Sequence, residues 1–147
     1  MKAVNTFNLK ILSKSANEGF ARVAVSSFVA QLDPTIDELS DIKTAVSEAV
    51  TNSIVHAYKN SIGAIYIMVE LFEDRSIRIK IRDKGCGIDN IERAMQPLYT
   101  SVGGERSGLG FSVMESFMDS LKVASTINKG TTVVMKKRLS LRVGANG

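Results

Sequence analysis

The stretch that decides the fold is residues 76–87, which read Ser76-Ile77-Arg78-Ile79-Lys80-Ile81-Arg82-Asp83-Lys84-Gly85-Cys86-Gly87. Its first half alternates isoleucine with charged residues, which is the pattern of a β-strand that buries one face and exposes the other. Its second half is a glycine-rich turn that begins with an aspartate, so a carboxylate stands where the strand ends. A sheet made of such strands needs a covering layer on its apolar face only.

Further elements on both sides of this stretch complete the predicted fold. Thr35 and Glu38 form a capping box, which marks the start of a long helix that runs to about residue 58. On the first helix, one face is shared by Phe20, Val23, Ala24, Ser27, Phe28 and Gln31. The sequence therefore predicts an α/β (α+β) two-layer sandwich, a mixed, mostly antiparallel sheet with helices on one face. Strands are expected over 4–12, 64–72, 76–82, 121–127 and 131–139, and helices over 16–32, 36–58, 91–95 and from 107.

Length and composition restrict the class of protein. A chain of 147 residues fits one domain, expected over 1–147 with a disordered tail over 140–147. Its 44% hydrophobic and 23% charged residues are typical of a globular protein. Apolar stretches end well before the roughly 18 to 20 residues that span a bilayer, so no membrane association is expected. Because Cys86 is the single cysteine, an internal disulfide is excluded, and we expect a cytoplasmic protein.

The net charge of +4 raises the question of nucleic-acid binding. Lysine and arginine are spread along the sequence, and the densest run is Lys136-Lys137-Arg138, which is more typical of a solvated strand end. We therefore expect no direct nucleic-acid binding, and the charge favours acidic ligands or an acidic protein surface.

Two groups of residues indicate chemistry. Glu48 and Asn52 are four apart on the long helix and share a face, where the amide oxygen suits magnesium and the carboxylate can accept a proton. Two polar residues on a helix surface are the simpler reading of that pair. Asp83 precedes Gly85 and Gly87 in the strand-ending turn, and residues 108–110 (Gly-Leu-Gly) place bare N–H groups at a helix start, where phosphate can bind. Ordinary turn geometry is the alternative for both loops.

The order of these motifs, followed by Gly130-Thr131-Thr132, resembles the GHKL ATPase superfamily over residues 7–138. The resemblance implies ATP or ADP bound with Mg²⁺. It implies that Asp83 binds the adenine amino group, that Asn52 binds the metal, and that Thr131 lies in the adenine pocket. Residues 96–106 would be a lid over the nucleotide, with Arg106 supplying positive charge in catalysis. The remaining nucleotide contacts implied are Gly85, Gly87, Thr100, Ser101, Ser107, Gly108, Leu109 and Gly110.

A narrower similarity is carried by Phe20-Ala21-Arg22-Val23, Gln31-Leu32-Asp33-Pro34-Thr35, Glu48-Ala49-Val50-Thr51-Asn52 and residues 106–111. These segments resemble the anti-sigma F family of endospore-forming bacteria, which are serine-kinase anti-sigma factors. The resemblance implies a homodimer that holds a sporulation sigma factor and phosphorylates a serine of an anti-anti-sigma factor. Arg22 is the expected partner contact on the first helix. In the lid, Ser101-Val102-Gly103-Gly104 replaces a threonine-lysine-proline run of that family.

Three alternatives stay open. The same fold and kinase activity would serve regulation of a general-stress sigma factor. A binding module switched by ATP without phosphotransfer would leave Glu48 a structural role. A sensor histidine kinase fragment is disfavoured, because no helical segment carries an acceptor histidine.

Overall fold

Five strands form one sheet in which every described strand pairing is antiparallel. The structure is a computed structural model that describes residues 1–95 and 107–141, with side chains in the second range from residue 110. The strands are β1 (Ala3–Leu12), β2 (Ala64–Phe72), β3 (Ser76–Asp83), β4 (Ser120–Thr126) and β5 (Gly130–Arg138). The helices are α1 (Ala16–Val29), α2 (Ile36–Asn52), α3 (Ile91–Met95) and α4 (Ser107–Phe117). The predicted fold class is confirmed.

The strand order brings two of the predicted site residues, Asp83 and Thr131, next to each other. The sheet runs β1-β2-β3-β5-β4, so β3 lies beside β5 rather than beside β4. In this register Arg82 is opposite Thr132, which places Asp83 at the end of β3 next to Thr131 at the start of β5. The sequence alone does not specify this neighbour relation.

One face of the sheet supplies the core. Alternate residues of β2 and β3 are buried in strict succession, as a strand with one covered face requires. The helices α1, α2 and α4 pack on this face, and Leu139 closes the core beyond β5. Among the described residues, no helix is long and apolar enough to cross a membrane. The largest buried side chains include Ile42, Val46, Ile65, Ile67, Leu71, Ile77, Ile79, Ile81, Met114 and Met135.

The face of α1 that packs into the core is not the face that was grouped from the sequence. The helix buries Ala21, Val25 and Val29, which recur every fourth residue. Phe20 and Val23, two apolar members of the face grouped in the sequence, are 54% and 59% exposed. The small residues on the buried side let α1 pack against α2, and the larger Phe20 and Val23 are left exposed.

The long second helix begins as predicted and ends in an unexpected way. The Thr35 N–H donates to Glu38 Oε1 at 2.9 Å, and the Glu38 N–H donates to Thr35 Oγ1 at 3.0 Å, so the capping box is confirmed. Regular α-helix stops at Asn52, and a π-helical turn over Ser53–Ala57 completes the predicted span. Such wide turns are frequent at functional sites.

The capping box gives a prediction about stability and pH. Burial alone would raise the pKa of Glu38, but hydrogen bonds from Ser140 and Thr35 lower it below the ordinary value. The charged form therefore stabilises the fold above the pKa of the unfolded chain, and this contribution is lost as pH falls through the lowered folded pKa. We expect Thr35→Ala to lower the free energy of unfolding by about 1 kcal/mol. Urea unfolding should show Glu38→Gln less stable than wild type at pH 7, with the difference shrinking as the pH falls through the lowered folded pKa of Glu38; a constant difference would contradict the assignment.

Candidate functional site

The first half of the site lies where α2 meets α4. Glu48 and Asn52 are both half-buried on the side of α2 that faces the start of α4. A Cβ added to Gly110 would lie 3.2 Å from both terminal atoms of the Asn52 amide and 3.4 Å from Glu48 Oε1. Glycine at this position thus lets the backbone of α4 approach the two polar side chains. The structure brings the predicted carboxylate, amide and glycine together.

The Asn52 amide carries an unused hydrogen-bonding group. Its Nδ2 is buried and has no hydrogen-bond partner among the described residues. Leaving a buried amide donor unpaired costs about 1 to 3 kcal/mol, so such a group is normally matched by a partner. A buried amide without a partner, beside the start of α4, is a feature of a site that a polar ligand completes.

The second half of the site is the carboxylate of Asp83, which is only 5% exposed. Its Oδ1 accepts from the Gly85 N–H at 3.0 Å and from the Thr131 N–H at 3.2 Å. Its Oδ2 accepts from the Ser53 hydroxyl at 2.9 Å. Two carboxylate oxygens offer about four lone-pair positions, so Oδ2 retains a position for one further donor.

The predicted loop glycines are required by close approach. A Cβ on Gly85 would overlap the carbonyl oxygen of Ala57, the last residue of the π-helical turn. Gly87 has φ +78°, and a Cβ there would overlap the Thr126 carbonyl oxygen. The Cys86 N–H donates to the Ala57 carbonyl at 3.0 Å and fixes the loop in this position. The loop therefore packs between the π-helical turn and the end of β4.

Thr131 is held by hydroxyl contacts as well as by its backbone. Its Oγ1 lies 2.8 Å from Ser125 Oγ, which also accepts from the Ile88 N–H at 2.7 Å. This pair of hydroxyls joins β5, β4 and the segment that follows the glycine loop. Thr131 thus lies beside Asp83, and its place in an adenine pocket stays a prediction.

Sequence reasoning missed Ser53 and Tyr58 and gave Gly130 no role beyond its place in a motif, yet all three residues hold Asp83 and its loop in place. Ser53 donates to the carboxylate, and the Tyr58 hydroxyl accepts from the Lys84 N–H at 2.7 Å and donates to the Ala64 carbonyl at 2.7 Å. Burial raises the pKa of the Tyr58 hydroxyl, which keeps it protonated as a donor. Gly130 has φ +127°, where a Cβ would overlap the Asp83 carbonyl oxygen. A serine within the apolar stripe of α2 was the available signal for Ser53.

The end of α2 joins the two halves. Asn52 and Ser53 are adjacent, so their side chains point in directions about 100° apart on the helix. Asn52 faces Gly110 of α4, and Ser53 faces Asp83 of β3. A molecule that touches both Asn52 and Asp83 would therefore lie along the side of α2, between the glycine loop and α4.

Several other predicted site residues fall outside the part of the chain that the structure describes. Thr100, Ser101 and Arg106 fall outside the described residues. Ser107, Gly108 and Leu109 belong to the first turn of α4, and their side chains are likewise outside it. The structure places the first turn of α4 at the site through Gly110 alone.

Arg22 is separate from this site and lies on α1. Its side chain is 43% exposed and forms an ion pair with Glu18, one turn earlier, at 3.6 Å. Glu18 in turn accepts a short hydrogen bond from the Ser47 hydroxyl of α2. The guanidinium is thus directed back along α1, where its Nη2 would lie 3.8 Å from a Cβ added to Gly19.

Comparison with known proteins adds independent findings. Residues 13–137 match the family described as "Histidine kinase-like ATPase domain". The chain is similar to the protein named anti-sigma F factor of Clostridium acetobutylicum, with 56% identity over 93% of this chain and 96% of that protein. It is 60% identical to the anti-sigma F factor of Clostridium beijerinckii, with the same coverages. For that of Priestia megaterium the identity is 56%, over 92% of this chain and 94% of the relative.

Two solved structures have the same fold. One holds the RsbU and RsbW domains of a Mycobacterium tuberculosis protein, with TM-score 0.70, 19% identity and coverage of 95% of this chain and 34% of the other. This chain thus spans about a third of that one. The other is the histidine kinase domain of a blue-light activated kinase from Erythrobacter litoralis, with TM-score 0.54, 20% identity and coverages of 83% and 61%. Since the family and the curated relatives extend over most of its length, the chain belongs to the anti-sigma F factor family and carries a histidine kinase-like ATPase domain.

Proposed function

We propose that the chain is an ATP-dependent protein serine kinase that inhibits a sporulation sigma factor and phosphorylates a serine of an anti-anti-sigma factor. The observation that carries the kinase part is the Glu48 and Asn52 pair against Gly110, with an unpaired buried amide between two elements of a nucleotide-binding fold. Family membership supports the sigma-factor part, action in the cytoplasm and assembly as a homodimer.

Adenine recognition is assigned to Asp83. Its Oδ2 has room for one more donor, and the exocyclic amine of adenine is a donor of the right kind. The glycine loop is fixed beside the carboxylate, since the Gly85 N–H donates to Asp83 Oδ1, so Asp83 has a defined position towards a bound base. ATP and ADP share this base, so both should bind through Asp83.

Magnesium is assigned to Asn52. The described residues contain no group of three or more histidine, cysteine, aspartate or glutamate side chains that could hold a metal by themselves. A single amide oxygen together with phosphate oxygens is a normal environment for Mg²⁺, which keeps few protein ligands. The bound ion would neutralise charge on the phosphates. The orphan Nδ2 of the same amide fits a site that is completed by a ligand.

Glu48 is assigned as the general base. It lies one helical turn before Asn52, so its carboxylate is near the metal-binding amide but separate from it. In the proposed step the serine oxygen bonds to the γ-phosphorus of ATP, the bond from that phosphorus to the bridging oxygen of ADP breaks, and Glu48 takes the hydroxyl proton. Arg106, outside the described residues, is proposed to balance charge on the transferred group.

The sigma factor is proposed to dock on α1 through Arg22. Exposed aromatic, aliphatic and arginine side chains on one helix are residue types that protein interfaces use. Phe20 and Val23 supply the apolar part and Arg22 the charge. The ion pair with Glu18 limits the conformations of the guanidinium before a partner arrives.

We expect Arg22→Glu to weaken sigma-factor binding at least about tenfold and to leave ATP affinity unchanged. Arg22→Ala should have a smaller effect, since it removes the pairing without adding repulsion. Lys43→Glu, an exposed change of equal charge on α2, is the matched control. Pull-down with saturating ATP measures retention. If Arg22→Glu and Lys43→Glu retain the sigma factor equally, Arg22 is not an anchor.

The proposed activity is tested with ATP labelled on its γ-phosphate. The purified protein, magnesium and a candidate anti-anti-sigma factor should give label on that partner in an alkali-labile, acid-stable bond, as a phosphoserine gives. Label that is lost in acid would indicate phosphohistidine instead. Nucleotide binding without any label transfer would favour the binding-module alternative.

A further inference from the structure

The face of the sheet that the helices leave open carries a dense set of positive charges. The register defines two neighbouring rows of outward-facing residues that cross all five strands. The first row is Lys10, Tyr66, Arg82, Thr132 and Ala124, and the second is Asn8, Met68, Lys80, Val134 and Lys122. We call these two rows the basic sheet face. Lysines and arginines that are dispersed in the sequence become neighbours here because strand pairing aligns them.

Tyr66 lies at the centre of a cluster of positively charged side chains. The cationic groups of Lys10, Arg82 and Lys84 lie 6.0, 5.1 and 5.4 Å from its ring centroid. These distances are within the range in which an aromatic ring attracts a cation. Tyr66 thus holds three like charges close together, which raises the positive potential that an approaching molecule meets.

Acidic side chains do not neutralise the basic sheet face. Glu70, in the next row, already forms an ion pair with Arg78 at 2.5 Å. Among the described residues, no carboxylate lies within ion-pair distance of Lys80, Arg82 or Lys122. Repulsion among unpaired charges that are fixed side by side disfavours the folded state, and a bound anion relieves it.

Apolar side chains are interleaved with these charges. Met68 and Val134 flank Lys80, and Val134 also separates Lys80 from Lys122. A depression of about 420 Å³ lies over Tyr66, Met68 and Lys80. This space can take an apolar side chain, while the surrounding cations can pair with carboxylates.

We propose that the basic sheet face docks an acidic, amphipathic segment of a partner protein. A nucleic-acid backbone would satisfy the lysines but would leave Met68 and Val134 without a contact, and the cations around Tyr66 compete with a base for its ring. A second copy of this chain would bring the same positive charges face to face. Only a segment with both carboxylates and apolar side chains matches the pattern. The docking face is opposite the helices, so it leaves Glu48 and Asn52 uncovered, and it does not depend on the proposed function.

The test measures binding of a fluorescent helical peptide in which a stripe of leucines is flanked on both sides by glutamates, so that both kinds of side chain can contact the sheet face together. Lys80→Glu with Lys122→Glu should weaken its binding at least about tenfold. Lys14→Glu with Lys43→Glu changes the net charge equally at exposed sites off this face, and it should weaken binding far less. The milder pair Lys80→Gln with Lys122→Gln should give an intermediate loss, which keeps the test valid if the reversal disturbs folding. Anisotropy titrations at moderate salt give each affinity.

Three results would overturn the proposal. Equal weakening by the on-face and off-face pairs would mean that only net charge matters. Equal affinity for a scrambled peptide of the same composition would mean that the apolar side chains take no part. Tighter binding of a single-stranded oligonucleotide than of the peptide, lost on Lys80→Glu with Lys122→Glu, would identify the face as a nucleic-acid site.

Discussion

Glu48→Gln is expected to lower the rate of phosphoryl transfer to the partner serine by about 10²- to 10⁴-fold, the usual contribution of a general base. The glutamine has nearly the same shape, so it fits beside Gly110, but it cannot take the proton of the serine hydroxyl. Binding of ATP should persist, because the proposed contacts to base and metal are made by Asp83 and Asn52. Single-turnover transfer of labelled phosphate measures the rate, and calorimetry measures the affinity.

The control for this variant is Glu115→Gln, an exposed carboxylate on α4 that loses the same charge away from the site. It should transfer phosphate at the wild-type rate. If Glu48→Gln does so as well, Glu48 is not the base, and the binding-module alternative gains support. Equal loss of transfer and of ATP binding would instead indicate that Glu48 shapes the pocket.

Asp83→Asn and Asn52→Ala should impair nucleotide binding in different ways. Asp83→Asn removes the charged acceptor for the adenine amine, so ATP and ADP should both bind more weakly by about 1.5 to 3 kcal/mol, or roughly tenfold to more than a hundredfold. Asn52→Ala removes the metal ligand, so only the part of the affinity that depends on magnesium should disappear. Titration calorimetry with and without magnesium separates the two effects.

Asp83 also accepts from Ser53, Gly85 and Thr131, so Asp83→Asn has a structural component. Thermal unfolding without nucleotide measures that component, and Ser53→Ala is a companion variant that removes one of the same hydrogen bonds. A large loss of ATP affinity in Asp83→Asn with little loss in Ser53→Ala supports contact with the base. Unchanged affinity in both Asp83→Asn and Asn52→Ala would contradict the pocket assignment.

Features that depend on local sequence were predictable. The alternation of Ile77, Ile79 and Ile81 determines which face of β3 is buried, and the capping box fixes the start of α2 because its hydrogen bonds join residues three apart. The four-residue spacing of Glu48 and Asn52 puts both on one helical face in any helix. Each of these relations is complete within one element.

Features that depend on how elements meet were not predictable from residues alone. The exposed position of Phe20 follows from the choice of Ala21, Val25 and Val29 as the packing face, and periodicity in an apolar helix does not decide between two such faces. The contact from Ser53 to Asp83 joins the π-helical turn that follows α2 to the end of β3. The resemblance to a known superfamily, rather than spacing, paired Asp83 with Thr131.

The distribution of surface charge, and with it the basic sheet face, was likewise not predictable from the sequence. Lys10, Lys80 and Lys122 are far apart in sequence, and only the strand order and register bring them onto the same face of the sheet. The dense run at Lys136-Lys137-Arg138 drew attention instead, although Lys137 turns to the opposite side and contacts Asp41 at 3.8 Å. A sequence that looks evenly charged can therefore fold into an uneven surface.

The central claim is that ATP lies along α2 between Asp83 and Asn52, and a crystal structure with a non-hydrolysable ATP analogue and magnesium tests it most directly. The account predicts the adenine amine within hydrogen-bond distance of Asp83 Oδ2, the Asn52 Oδ1 among the magnesium ligands, and the terminal phosphate near Glu48. A base that sits away from Asp83, or a metal held without Asn52, would contradict it.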